Sequence, residues 1–119
     1  MVEALARRIH GVVAVTGETD LVTDGTRTAR CKGGCAEMGL VTGTGCMLSA
    51  LTGALLAANP EAPFGAVCTA VCAMKTAGEL AREALAPGEG SGSYRVRLID
   101  AVNRLDGPTL AARANWEEL

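Results

Sequence analysis

The chain has 119 residues, 49 % hydrophobic and 20 % charged, a composition that sets a ceiling of one domain with its own core. Eleven Lys and Arg against thirteen Asp and Glu leave a formal charge of −2, and no basic stripe interleaves with aromatics, which excludes a nucleic-acid footprint. No charge-free run of about 18 apolar residues exists, and Met1–Arg8 lacks the apolar centre of a secretory leader, so the expectation is neither a membrane span nor export.

Val2, Leu5, Ala6 and Ile9 recur at helical spacing, and Gly11 stops that helix. Gly11–Gly17 is short and rich in β-branched residues, with turn signals on both sides, and reads as a strand buried on both faces, as in parallel sheets. Asp20–Thr23 and Arg27–Cys31 flank Asp24-Gly25, a hairpin signal, and Lys32-Gly33-Gly34 ends the hairpin. A loop from Cys35 to Leu40 leads to the glycine-rich run Val41–Cys46.

A helix is predicted from Thr44 to Asn59, apolar nearly all round and therefore central. A second runs from Pro63 to Ala86, with proline at its start and Pro87-Gly88 after its end. Its charges, Lys75, Glu79, Arg82 and Glu83, gather in the C-terminal half and predict that this half reaches solvent. Ser93 is a candidate N-cap for a third helix over Tyr94–Leu105, closed by Asp106-Gly107-Pro108. The tail from Thr109 to Leu119 reads as a short helix or a frayed end. The order is α/β with few strands, and the buried strand calls for neighbours that these 119 residues do not supply.

Five cysteines without an export signal point to reduced thiols and a cytoplasmic setting. Cys31/Cys35 and Cys68/Cys72 each enclose three residues, but structural zinc sites use tighter spacings and the single histidine, His10, lies in a different context. Cys68 and Cys72 fall four apart on an alanine-rich helix and read as core residues. No metal ligand set is assigned.

The chemistry concentrates in Val41-Thr42-Gly43-Thr44-Gly45-Cys46. A helix start presents N–H groups without intrahelical partners and about half a positive charge from the macrodipole. Glycines leave those amides uncovered, so an anion can approach the backbone. A cysteine in the first turn feels the same field, which favours its thiolate. A Gly-rich loop capping a buried helix is the structural alternative.

Val13–Asp20, then Val41–Cys46, then Gly90-Ser91-Gly92-Ser93-Tyr94 resemble the C-terminal half of the hydroxyethylthiazole kinases, a ribokinase-like family, over about residues 1–106. The resemblance implies the C-terminal part of a three-layer ribokinase-like fold: a buried strand, a hairpin and three helices in one partial domain. It implies phosphorylation of the hydroxyl of 4-methyl-5-(2-hydroxyethyl)thiazole, with ATP and Mg2+, in thiamine biosynthesis or salvage. Thr16 corresponds to a threonine that contacts the ATP phosphates, and Gly43 to a glycine lying against the thiazole. Thr42, Thr44 and Gly45 complete an anion hole for the transferred group, and Cys46 takes the place of the catalytic residue. For Thr16 the alternative is a β-branched residue ending a strand, and for Cys46 a small spacer shaping the pocket.

Glu18 and Asp20 are of the type that holds magnesium, but Gly17-Glu18-Thr19-Asp20 reads first as a solvated turn. Ser91 and Tyr94 stand where the family usually has Pro and Phe. Family members are about twice this length; their N-terminal half carries most of the sheet, the thiazole pocket, an ATP-contacting arginine and the acids around magnesium, and whole chains form trimers. The chain is therefore expected to be inactive without that half. Met1 is either a true start or the edge of a longer frame. The competing readings are another ribokinase-like ATP enzyme, against which Cys46 in place of the relatives' Asp argues, and a non-catalytic remnant or nucleotide- or partner-binding module.

Overall fold

A computed structural model describes all 119 residues. Helix α1 (Val2–Ile9) ends at His10 in the left-handed conformation, where the Gly11 N–H returns to the Ala6 carbonyl at 3.1 Å. Strands β1 (Val13–Val15), β2 (Asp20–Thr23) and β3 (Thr28–Lys32) follow as an antiparallel meander. The register pairs Ala14 with Val22 and Val22 with Ala29. The β2–β3 turn bears out the Asp24-Gly25 signal: Asp24 Oδ1 accepts the Thr26 and Arg27 N–H groups, and Gly25 takes φ 92°.

A short 3-10 helix over Ala36–Leu40 leads to α2 (Thr44–Ala58), α3 (Pro63–Glu83) and α4 (Ser91–Arg104). Helix α3 is the axis of the core. On one side Phe64, Val67, Cys68, Val71 and Cys72 pack on Val22, Ala29 and Cys31 of the sheet. On the other, Met74, Ala77 and Ala81 meet Val41 and the Tyr94 and Leu98 side chains of α4. Burial of Cys68 and Cys72 agrees with their reading as core residues.

Four expectations are corrected. Strand β1 is not buried on both faces: Val13 is half-buried, while Ala14 and Val15 are exposed. It is the edge of the sheet, with β2 its sole partner, so its apolar side chains lack a second neighbour. Helix α2 has the expected bounds but is not central, for none of its residues is buried. It leans on α3 along one side, leaving Cys46, Ser49, Ala50, Gly53, Ala54 and Ala57 exposed. Lys75 does not reach solvent but is buried at mid-helix. Helix α4 begins at Ser91 with Gly90 as its cap, so Ser93 is not the cap.

The tail contains the expected short helix and then a strand that the sequence did not signal. Asp106 Oδ1 accepts the Thr109 N–H at 2.8 Å and starts α5 (Gly107–Arg113). Strand β4 (Asn115–Glu118) then joins β3, with Arg27 paired to Glu118 and Arg30 to Glu117. Cross-strand ion pairs on an exposed ladder each add only a few tenths of a kcal/mol, so the backbone ladder is what places β4.

Candidate functional site

A cleft of about 830 Å³ opens between the loop after β1, the turn after β3 and the start of α2. Thr16, Gly17, Glu18 and Thr19 form one wall, Lys32, Gly33, Gly34 and Cys35 the other, and Thr44, Gly45 and Leu48 of α2 close one end. Its floor is α3, through Met74 and Lys75.

The α2 start has the features that leave its donors free. Gly43 is the N-cap at φ 101°, a left-handed value that favours glycine. The first helical bond runs from the Met47 N–H to the Gly43 carbonyl at 2.9 Å. Thr44, Gly45 and Cys46 therefore keep N–H groups with no intrahelical acceptor. No side chain caps them and no acid sits in the first turn, so the positive end of the dipole is unneutralised.

The predicted residues divide between lining and rim. Thr16, Thr44 and Gly45 line the same cleft. Thr42, Gly43 and Cys46 lie beside them in sequence but outside the lining, and the Cys46 side chain is exposed. Thr16 is also exposed, at the mouth.

The turn Gly17–Asp20 is not simply solvated, since Asp20 is only 5 % exposed. Its Oδ1 accepts the Gly17 N–H at 2.7 Å and its Oδ2 lies 3.5 Å from the Lys75 ammonium. That pairing occupies the carboxylate, and the fold brings together no group of three His, Cys, Asp or Glu side chains. The exposed Glu18 is the other acid on the cleft lining.

Sequence reasoning passed over Lys75, Gly33-Gly34 and Cys35. A signal for Lys75 was available: it stands four residues after Val71 and seven after Cys68, on the apolar stripe of α3. Cys35 approaches the Tyr94 hydroxyl at 3.2 Å, and that hydroxyl donates to the Gly78 carbonyl at 3.0 Å. Burial first, then the Cys35 contact, pushes the Tyr94 hydroxyl well above its ordinary range, so it stays a protonated donor. This group ties α4 to α3 behind the cleft wall.

Fold and cleft together define an α/β chain with an uncapped helix start at one end of a cleft. Known proteins narrow that class. The model of the hydroxyethylthiazole kinase family matches residues 1–107. A hydroxyethylthiazole kinase of Clostridium acetobutylicum is 38 % identical over 115 residues, 97 % of this chain and 42 % of the relative. One from Rhizobium leguminosarum bv. trifolii is 47 % identical over 110 residues, 92 % of this chain and 40 % of the relative. The solved hydroxyethylthiazole kinase of Pyrococcus horikoshii OT3 superposes with a TM-score of 0.86 at 38 % identity, covering 99 % of this chain and 44 % of that one. The chain belongs to the hydroxyethylthiazole kinase family, and it spans about two fifths of the length of the relatives it matches.

Proposed function

We propose that this chain is the phosphoryl-transfer corner of a hydroxyethylthiazole kinase, corresponding to the C-terminal part of the whole enzyme. The observation that carries the reading is the uncapped α2 start, with Thr44 and Gly45 lining one cleft with the strand-end Thr16. ATP binds there with its phosphates against the α2 amides and the Thr16 and Thr44 hydroxyls. Thr42 and Gly45 complete the anion hole, and Gly43 lies against the thiazole.

Phosphoryl transfer proceeds through a loose transition state with charge on the equatorial oxygens, so alignment and preorganised donors supply most of the catalysis. The hydroxyethyl oxygen attacks the γ-phosphorus, the bond to the β-phosphate oxygen breaks, and ADP leaves with the bonding pair. The Cys46 thiolate accepts the hydroxyl proton late in the step.

Turnover requires residues beyond these 119. The acids expected around magnesium belong to the part of the family's length that this chain does not span, Asp20 is paired with Lys75, and β1 presents an unpaired edge. The single domain proposed for residues 1–119 is thus a partial one.

The test is ATP-dependent phosphorylation of 4-methyl-5-(2-hydroxyethyl)thiazole by the purified chain, alone and mixed with the remaining segment of a relative. The expected result is ATP binding without turnover alone, and turnover on mixing that Cys46→Ala abolishes. Robust turnover by the isolated chain would sink the incomplete-enzyme reading. ATP binding with no activity on mixing would favour a non-catalytic nucleotide module, and no ATP binding at all would remove the kinase reading of this cleft.

A further inference from the structure

Lys75 is the least expected residue near the cleft. It is 7 % exposed, in the middle of the helix that forms the core. A buried ammonium is costly unless acceptors replace its water. Four do so: Asp20 Oδ2 at 3.5 Å and the carbonyl oxygens of Glu18 at 3.1 Å, Gly17 at 3.3 Å and Gly33 at 3.3 Å.

Those acceptors come from both walls of the cleft. Gly17 and Glu18 belong to the loop after β1, and Gly33 to the turn after β3. One turn of α3 further on, Glu79 Oε1 accepts the Gly34 N–H at 2.8 Å. Two residues four apart on one helix thus clamp the second wall, while Lys75 alone reaches both. Gly33 and Gly34 hold φ values of 101° and 79°, the left-handed region that favours glycine, and a Cβ on Gly33 would meet the Glu79 carboxylate while one on Gly34 would press on Met38 and the Lys75 stem.

The peptide plane carries the consequence. In a trans peptide the carbonyl and the following N–H point in opposite directions. Drawing the Gly17 and Glu18 carbonyls onto Lys75 turns the Glu18 and Thr19 N–H groups away from it. Neither amide has an acceptor within the protein. Two successive free amides on a cleft wall make a concave donor for an anion.

We propose that Lys75 is a positioning residue for nucleotide binding, holding the two cleft walls at a fixed separation and presenting the Glu18 and Thr19 amides to phosphate oxygens. This rests on the kinase reading only in naming ATP as the ligand. It assigns no role in chemistry to the ammonium itself, which is held by its four acceptors at the cleft floor.

The experiment pairs Lys75→Met with the double variant Asp20→Asn/Lys75→Met. The single variant strands a buried carboxylate and should lose stability; the double variant removes both charges and should recover most of it. Amide hydrogen exchange without nucleotide should nonetheless show lost protection at residues 17–20 and 33–35 in the double variant, with α3 unchanged. Its affinity for ATP and for inorganic tripolyphosphate should fall at least tenfold. Loop protection and affinity equal to the parent would overturn the proposal and leave Lys75 as ordinary core. A parent chain that fails to bind either polyphosphate, with loops that still loosen in the double variant, would sink the nucleotide reading while keeping the clamp. If the double variant does not fold, the parent decides: a slowly exchanging Lys75 ammonium resonance with contacts to residues 17, 18 and 33 supports the clamp, and rapid exchange with water overturns it.

Discussion

Gly43 and Gly45 offer a controlled comparison, because a methyl added at either one meets no atom within 4 Å. Only the backbone differs. Gly43 holds φ 101°, where an alanine pays for its Cβ by about 1–2 kcal/mol. Gly45 lies in the first turn of α2 without a positive φ, where alanine is the better helix former by about 0.5 kcal/mol. For a domain of this size each kcal/mol moves the melting temperature by about 3–5 °C. Gly43→Ala should therefore melt roughly 4–8 °C below the parent, and Gly45→Ala about 2 °C above it. Both should weaken tripolyphosphate binding, the first by tilting the amides of residues 44–46 and the second by covering one. A charge-assisted hydrogen bond contributes about 1.5–3 kcal/mol, so each loss is about tenfold or more in affinity. Thermal melts and titration calorimetry read both quantities. Equal shifts of the same sign would refute the assignment of strain to Gly43, and unchanged binding in both variants would refute the amide site.

Three further outcomes follow from packing. Burial pushes the Cys68 thiol up to about 11, so the folded state holds its proton longer than the unfolded chain does. Its contribution is intact below the unfolded thiol value near 8.5 and is lost as pH rises through 11, a decline in unfolding free energy that Cys68→Ala should flatten in urea titrations. Tyr94→Phe removes a buried donor while Cys35 still reaches the Gly78 carbonyl, so the cost should be about 1 kcal/mol, or a fall of about 3–5 °C in the melt. Val15→Lys puts a charge on the exposed sheet edge and should reduce self-association in sedimentation velocity while leaving the melt unchanged.

What the sequence carried was local. Asp24-Gly25 set the hairpin because its turn chemistry is written in adjacent residues, and Pro63 and Pro87-Gly88 bracketed α3 for the same reason. Asn115–Glu118 escaped because a polar four-residue strand has no periodic signal; only its ladder to β3 makes it a strand. Lys75 escaped because charge was read as exposure, whereas its acceptors lie 42 to 58 residues away in sequence. The glycine motif located the helix start, but its partner wall at Gly33-Gly34 came into view only with the fold.

The two apolar surfaces that the fold leaves open, β1 and the outer side of α2, bear directly on Cys46. A helix apolar on all sides is composed for burial, yet the exposed residues of α2 include Cys46, Ser49, Ala50, Gly53, Ala54 and Ala57. Small side chains let another surface approach closely, and whatever covers that side also covers the thiol. Covering matters for chemistry, because donors around a reacting oxygen act more strongly once water is excluded. The proposed base therefore stands at the boundary of these 119 residues, and its reactivity should report assembly. In the isolated chain Cys46 should react with a thiol reagent at once, the half-buried Cys35 more slowly, and Cys31, Cys68 and Cys72 only on unfolding. Mixing with the remaining segment of a relative should slow the first reaction at least tenfold, with onset at the concentration where kinase turnover appears. Turnover arising while Cys46 keeps its full reactivity would separate catalysis from the covering of α2 and remove the thiol from the proposed step.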